Sequence, residues 1–267
     1  MTRPAHRYRL SFWQTDKPYI HESPVSDIRF RLLGAVMAFL AGAINAGGFF
    51  AVGSYTSHVS GELSRAADML YLGEWQLALT AALVVAGFIV GATHGSWMIL
   101  WAKRQRFRSS YGLTMWLEAL YLLLFGLMGS TLSEFTVFVP ATLFLLCAIM
   151  GMHNTVISVL SNGQIRATHM TGHVTDMGIE LSKMLYYRHD RNPRLPDVRV
   201  DRTKFRLLAG MLLAFVLGGV AGAWGIHHMG YHFTWPVAAV LFLLGFGSVG
   251  HDVRLRLAVW LRRHKRY

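Results

Sequence analysis

Six long runs of apolar residues, separated by short polar segments, set the pattern of the chain. The runs lie at residues 32–52, 76–101, 112–131, 135–160, 205–227 and 235–253. A helix needs roughly 20 residues to cross the hydrocarbon core of a bilayer, and each run has about that length. The pattern therefore predicts an all-α polytopic membrane protein with about six transmembrane helices.

Composition agrees with a membrane location. Charged residues make up only 15% of the 267 residues and hydrophobic residues 53%, whereas soluble domains contain about 25% charged residues. The lipid bilayer is therefore the first partner that the sequence predicts. The single cysteine, Cys147, excludes an intrachain disulfide.

The positions of Lys and Arg predict the orientation of the helices. Of the 26 Lys and Arg residues, 25 lie before residue 32, at 103–108, at 161–206 or from 254 onwards. The opposite connections, at 53–75, 132–134 and 228–234, contain only Arg65. Because positive charge is retained on cytoplasmic loops, both termini are predicted to be cytoplasmic. The net charge of +12 is explained by this orientation, so no nucleic-acid partner is predicted.

A polar motif occurs twice among the apolar runs. The sequence HVSGELSR at 58–65 and the sequence HMTGHVTD at 169–176 share a pattern of His, an apolar residue, Ser or Thr, and Gly. We call them the first and second polar segments. A matching run precedes each of them, containing Gly42-Ala-Ile-Asn45 or Gly151-Met-His-Asn154.

The run after each polar segment has small residues at every fourth position. In the first half these are Gly87, Gly91 and Gly95, and in the second half Gly210, Ala214, Gly218 and Gly222. Such stripes predict close packing of helix backbones. Each half thus has three spans, and an odd number requires the second half to be inverted in the membrane.

The predicted organisation is therefore two inverted three-helix repeats, each with a short polar helix after its first span, as in many secondary transporters. The repeats cover residues 30–132 and 133–258. A disordered cytoplasmic tail is expected at 1–29 and a basic cytoplasmic tail at 259–267.

Asn45 and Asn154 are the first candidates for a binding site, because an amide within a span needs hydrogen-bonding partners. Each amide could bridge neighbouring helices or cap a broken turn. Alternatively, the repeat could bring the two amides together to line a substrate site near the middle of the membrane.

The polar segments supply the other candidate substrate-binding residues. These are His58, Ser60, Gly61 and Glu62 in the first segment, and His169, Thr171, Gly172 and His173 in the second. A Ser or Thr hydroxyl can cap a helix start, and two such starts aimed at one cavity would favour an anion. The alternative is that each short helix lies on the bilayer surface and only connects spans.

Two acids are candidates for an ion or proton site. Glu118 lies within the third run, where a carboxylate is a functional candidate, although it is near enough to the cytoplasmic end to reach the interface or pair with an Arg. Asp176 lies four residues before Glu180, and Lys183 follows three residues later, which favours an ordinary helical salt bridge. Histidines of the two segments could meet at a metal, but no HExxH motif occurs, and no metal or cofactor is predicted.

Two stretches resemble a known family. The sequence NAGGFFAVGSYTSHVSGELSRAADMLYLGEW, together with GMHNTVISVLSNGQIRATHMTGHVTDMGIELSKMLYY, is similar to the YoaK family of bacterial multi-spanning membrane proteins, over roughly residues 30–258. The resemblance implies about six helices, a bacterial inner membrane and no assigned activity. This chain departs from the family by Asn45, where Asp is usual, and by Glu62, where Asn is usual.

Two classes of function remain open. The first is a transporter of a small solute or ion, with its site where the two repeats meet. The second is a membrane scaffold that binds lipid or a partner without transport. No arrangement of nucleophile and base predicts an enzyme. A homodimer is compatible with so small a bundle.

Overall fold

The computed structural model describes residues 28–107, 109–132, 138–163, 165–189 and 200–264, and within these ranges the chain is helical with no strand. The helices are α1 Ile28–Val52, α2 Val59–Tyr71, α3 Trp75–Arg104, α4 Ser110–Leu132, α5 Phe138–Leu160, α6 Met170–His189, α7 Arg202–Met229 and α8 Thr234–His264, with a short 3-10 helix Gly230–Phe233 before α8. The six long helices correspond to the six apolar runs, and α2 and α6 to the polar segments. The all-α prediction is confirmed.

Five helical segments are long and apolar enough to cross a membrane. They are Phe30–Val52, Trp75–Arg104, Ser110–Thr131, Pro140–Leu160 and Arg202–Gly247. The fifth has 46 residues and includes α7, the 3-10 helix and the first part of α8, for which the sequence predicts two spans. The membrane character of the chain is therefore supported by helix length as well as by composition.

Some sequence predictions concern residues outside the described ranges. These are most of the N-terminal tail, the start of the fourth run at 135–137 and the charged connector at 190–199. The basic tail predicted from 259 overlaps α8, which continues to His264. Residues 265–267 lie outside the described part of the chain.

Three pairs of long helices form the bundle. Helix α1 packs along α7, α3 along α5 and α4 along α8, and α5 also contacts α1 and α4. Helix α2 packs on α3, and α6 packs on α7. Most of the side chains buried between the long helices are apolar, among them Met37, Ile44, Leu122, Phe125 and Met150. Cys147 of α5 is also fully buried, in a small cluster with Val84 of α3 and Leu143.

Glycines with positive φ lie just after the ends of α1, α2, α5 and α7. Gly73 has φ +77° and follows α2, where its N–H donates to Leu70 O and the N–H of Glu74 donates to Met69 O. Gly163 has φ +78° after α5, and its N–H donates to Ser158 O at 2.7 Å. Glycine adopts this backbone conformation without the steric cost of a Cβ, so the chain can turn sharply into the segments that follow.

The predicted glycine stripes form backbone contacts between helices. A Cβ on Gly91 of α3 would overlap the carbonyl oxygen of Ala148 of α5, and a Cβ on Gly218 of α7 would overlap the carbonyl oxygen of Phe39 of α1. Gly222 has the same relation to Ala43. The packing prediction is confirmed at these positions.

Gly210 is an exception in the stripe. No atom lies within 4 Å of the place where its Cβ would be, so the inclusion of Gly210 in the packing surface was wrong. The first span of each half contributes a glycine that was not assigned to a stripe. A Cβ on Gly42 of α1 would overlap Phe215 O of α7, and one on Gly151 of α5 would overlap Phe88 O of α3.

Candidate functional site

Each polar segment is fixed to the span before it by an asparagine. The Oδ1 atom of Asn45 accepts hydrogen bonds from the N–H of Ser57 at 3.0 Å and from its Oγ at 2.9 Å. The Oδ1 atom of Asn154 accepts from the N–H of Thr168 at 3.2 Å, and its Nδ2 donates to Thr168 Oγ1. Each amide therefore binds the residue just before the His that opens its polar segment.

These bonds make the chain double back along the span it has just left. Asn45 lies seven residues before the end of α1 at Val52, which is about 10 Å along a helix. Asn154 lies six residues before the end of α5 at Leu160, or about 9 Å. Helices α2 and α6 therefore begin beside the interior turns of α1 and α5 and not at the ends of those helices. Of the two structural roles predicted for the amides, capping a broken turn is closer to these bonds than bridging two long helices.

The helices of the polar segments are capped two residues earlier than the sequence suggested, at His58 and His169. In α2 the N–H of Glu62 donates to His58 O at 3.0 Å, and in α6 the N–H of His173 donates to His169 O at 3.1 Å. His58 is the N-cap of α2, without a capping bond from its side chain. Ser60 and Thr171 are exposed within the first turns. The prediction of Ser60 as a hydroxyl cap was wrong, and Thr171 lies inside α6.

The glycine of each segment accommodates the histidine ring of the same segment. A Cβ on Gly61 would overlap the imidazole of His58, and one on Gly172 would overlap the imidazole of His169. The side chains one residue later point inward, since Glu62 is only 7% exposed and His173 only 5%. The repeated pattern of the sequence thus corresponds to a repeated local structure.

Glu62 and His173 occupy matching positions but have different partners. Glu62 accepts a hydrogen bond from Ser54 Oγ at 3.4 Å and lies 3.5 Å from the guanidinium of Arg65. His173 Nδ1 is buried without a hydrogen-bond partner. Burial lowers the pKa of His173, the charge of His169 lowers it further and Asp176 acts against them. The burial of His173 and the charge of His169 both favour its neutral form.

The two polar segments do not contact each other. Helix α2 packs on α3 and α6 packs on α7, and no contact between α2 and α6 occurs in the described part of the chain. Within the same residues there is no group of three or more His, Cys, Asp or Glu that could hold a metal ion. The candidate residues of the segments therefore lie in two separate places.

The acids of α6 form ion pairs with neighbouring lysines. Asp176 lies 2.9 Å from Lys204 of α7, and Glu180 lies 2.7 Å from Lys183, which confirms the helical salt bridge. Glu180 also accepts the N–H of Asp201 at 2.9 Å. The hydrogen bond from Lys183, followed by that from Asp201, lowers the pKa of Glu180. The Asp176–Lys204 pair and the bond from Asp201 to Glu180 hold α6 against the start of α7.

Glu118 of α4 and His153 of α5 form a buried pair at the centre of the bundle. Both side chains are fully buried, and Glu118 Oε1 lies 2.6 Å from His153 Nδ1. The other ring nitrogen, Nε2, lies 2.9 Å from the carbonyl oxygen of Met37 of α1. The expectation that Glu118 reaches the interface or pairs with an Arg was wrong. It lies eight residues from the start of α4 at Ser110, about 12 Å along the helix, and pairs with a histidine.

The protons of this pair follow from its hydrogen bonds. A carbonyl oxygen only accepts, so His153 Nε2 carries a hydrogen and donates it to Met37 O. Between Nδ1 and Oε1 one further proton is needed, because two lone pairs would repel each other at 2.6 Å. The pair is neutral overall whether this proton resides on the carboxyl or on the imidazole. Glu118 Oε2 is buried without a hydrogen-bond partner.

A family model described as Protein of unknown function (DUF1275) matches residues 33–247. The chain belongs to this family. The DUF1275 match begins in α1 and ends in α8, and it supports the resemblance inferred from the polar segments. It includes both polar segments, both asparagines and the Glu118–His153 pair. No curated protein and no solved structure matches the chain.

Sequence reasoning missed two residues of the DUF1275 bundle that bind polar groups. His153 stands beside Asn154 in an apolar run, and a second ionisable residue within the spans could have been paired with Glu118 on the ground that buried charges need partners. Asp252 of α8 accepts hydrogen bonds from the N–H and Oγ of Ser109 at 2.8 and 2.7 Å. It thereby fixes the start of α4 to α8, and no pattern in the sequence signals this contact.

Proposed function

We propose that this protein is a membrane transporter of a small solute or ion. In this proposal the chain consists of two inverted three-helix repeats in a bacterial inner membrane, with both termini cytoplasmic. The substrate site lies where α1, α4 and α5 meet, rather than between the two polar segments. The observation that carries the proposal is the repeated register of the close helix contacts.

That register follows two constant offsets. Residues 39 and 148, 42 and 151, and 43 and 152 are each 109 positions apart, while residues 88 and 215, 91 and 218, and 95 and 222 are each 127 apart. Phe39 shifted by 109 positions is Ala148, and Gly218 shifted back by 127 positions is Gly91. Gly218 contacts Phe39, and Gly91 contacts Ala148 in the same way. The contact of Gly42 with Phe215 is converted in the same way into that of Gly151 with Phe88. A duplicated three-helix unit explains why independent contacts obey the same two offsets.

The contacts between equivalent helices support the position of the site. Helices α1 and α5 are equivalent under the 109-residue offset and contact each other, and so do α4 and α8, the last long helix of each half. A twofold axis relating the halves would pass through both contacts. The Glu118–His153 pair bridges α4 and α5 beside them, and it reaches α1 through Met37. Ionisable residues buried within spans mark ion and substrate pathways.

A transport assay tests the proposal. The purified protein is reconstituted in liposomes and given a panel of labelled amino acids, small carboxylates, inorganic anions and monovalent cations. We expect uptake of at least one class above empty liposomes, reduced at least tenfold by His153→Ala. Gly210→Ala is the matched control, because nothing lies within 4 Å of its Cβ position. If folded protein moved no member of the panel, the transporter proposal would be rejected.

A second candidate function is a non-transporting protein that binds lipid or a partner. It is favoured by an apolar groove of about 730 Å³ between α3, α4 and α8. Three tryptophans contribute to the lining, Trp101, Trp116 and Trp235. Retention of one lipid species or one protein partner in fixed stoichiometry, together with the absence of flux, would favour this function.

A further inference from the structure

We propose that the Glu118–His153 pair is a proton-binding site in which one shared proton holds α4 against α5, and that the bundle opens there when this proton is released. As the coupling device of a transport cycle, the pair rests on the proposed function and makes the proton the coupling ion. Its protonation and its effect on the helices can be tested without any solute.

The closed structure requires the shared proton. His153 Nε2 is committed as a donor to Met37 O at 2.9 Å, so only Nδ1 faces Glu118. Without a proton between them, the lone pair of Nδ1 and a negative carboxylate oxygen would stand 2.6 Å apart. They would repel each other, and a net negative charge would remain in a fully buried place. The cost of such a charge is large in a medium that cannot solvate it.

Release and return of the proton change the contacts as well as the charge. On release, the bond from the proton to Nδ1 or Oε1 breaks and the proton passes to water, leaving a carboxylate and a neutral imidazole. The carboxylate then needs donors, and Oε2 of Glu118 already lacks one. Water can supply them only if α4 and α5 separate. Reprotonation restores the neutral pair and the closed contact.

The surrounding helices supply no alternative partner in the described structure. The charge that acts on His153 is that of Glu118. The titratable or charged side chains of the helices packed around the pair include Arg31 of α1, His94 of α3, Cys147 of α5 and Asp252 of α8. Of these, His94 lies 3.4 Å from the hydroxyl of Tyr121, and Asp252 binds Ser109 at the start of α4. In the described residues, no hydrogen bond or ion pair joins any of these four side chains to Glu118 or His153, whose bonds are those with each other and with Met37 O.

Glu118→Gln gives a sharp test, because its amide can donate to His153 Nδ1 as the protonated pair does but cannot lose a proton at any accessible pH. The experiment measures hydrogen–deuterium exchange of α4 and α5 in lipid nanodiscs from pH 5 to pH 9. The ratio of wild-type to Glu118→Gln exchange at each pH cancels the intrinsic pH dependence of amide exchange. For release of one proton on opening, this ratio rises by about tenfold per pH unit above the pH at which the proton is lost.

Asp68→Asn, which removes an exposed carboxylate of α2, is the matched control, and its ratio to wild type stays constant. A constant ratio of wild type to Glu118→Gln would overturn the proposal and make the pair a permanent structural bridge. If Glu118→Gln does not fold, the infrared difference spectrum of the wild type between low and high pH decides. A carboxyl or imidazolium band lost in the wild type in excess of the change in His153→Ala supports the proposal, and equal changes in the two proteins reject it. Neither result depends on solute flux, so failure of the transporter proposal is recognised separately.

Discussion

Gly218 of α7 lies directly against the backbone of Phe39 of α1, so that even a methyl group on Gly218 would overlap the Phe39 carbonyl oxygen. Since helix backbones this close cannot absorb an added atom by moving one side chain, the helices themselves must shift. Gly210, two turns earlier on the same helix, has open space instead.

This difference predicts unequal effects of the same substitution. Gly218→Ala should lower the free energy of unfolding by about 1–3 kcal/mol, because overpacked contacts force backbone shifts. Gly210→Ala should be neutral or raise it by up to about 1 kcal/mol, because alanine favours the helix. Unfolding of both variants in the same detergent, followed by circular dichroism, measures the difference. Equal losses would contradict the packing described for α1 and α7.

Replacement of Asn45 should separate its acceptor role from its amide character. Asn45→Ala leaves the N–H of Ser57 without its acceptor, at a cost of about 1–3 kcal/mol. Asn45→Asp retains an oxygen at the same place and should stay close to the wild type, because a carboxylate accepts both bonds. Proteolysis rates at residues 53–58 and thermal unfolding report the outcome. Equal destabilisation of Asn45→Asp and Asn45→Ala would show that the bonds accepted from Ser57 do not stabilise the structure.

Acid should loosen the contact between α6 and α7. The bonds from Lys183 and Asp201 lower the pKa of Glu180 below its ordinary value of 4.5. A carboxyl with a lowered folded-state pKa stabilises the structure above the ordinary value, and the stabilisation is lost as the pH falls through the lowered value. Amide exchange near Asp201, divided by the intrinsic exchange rate at each pH, should therefore rise below pH 4.5 in the wild type. In Glu180→Gln this acid dependence should disappear, and its persistence would assign the effect to another group.

The charge distribution predicts the side of the membrane on which each connection lies. A reporter that is active only outside the cytoplasm should be inactive when fused after residue 107 and active when fused after residue 132. The reason is that the 103–108 connection contains four of the Lys and Arg residues, whereas 132–134 contains none. A reporter after 132 that proved cytoplasmic would exclude the inverted arrangement of the two halves.

The helices could be predicted from sequence because their determinants are local. Apolar runs of membrane length gave all six long helices, and a charge pair three residues apart correctly indicated the bond between Glu180 and Lys183. The glycine stripe of α3 was also recognisable, because a helix brings every fourth residue to one face. These features depend on periodicity along a single segment.

The need of Glu118 for a buried partner could be read from the sequence, but the geometry of the central pair could not, because it depends on how separate helices cross. Glu118 and His153 are 35 residues apart and belong to different helices, and Met37 lies on a third. Nothing in the composition of α4 tells which helix its carboxylate faces. Likewise, the hydroxyls of Ser60 and Thr171 fitted a capping pattern, but the first backbone bonds of the two helices are accepted two residues earlier, by His58 and His169.

The only cysteine of the chain is enclosed where α3 packs on α5, and its side chain has no exposed surface. A thiol-reactive dye or spin label therefore cannot attach to Cys147 while those helices remain together. Cysteines introduced elsewhere can be labelled selectively in an otherwise native chain. Reaction at position 147 itself would report that α3 and α5 had come apart.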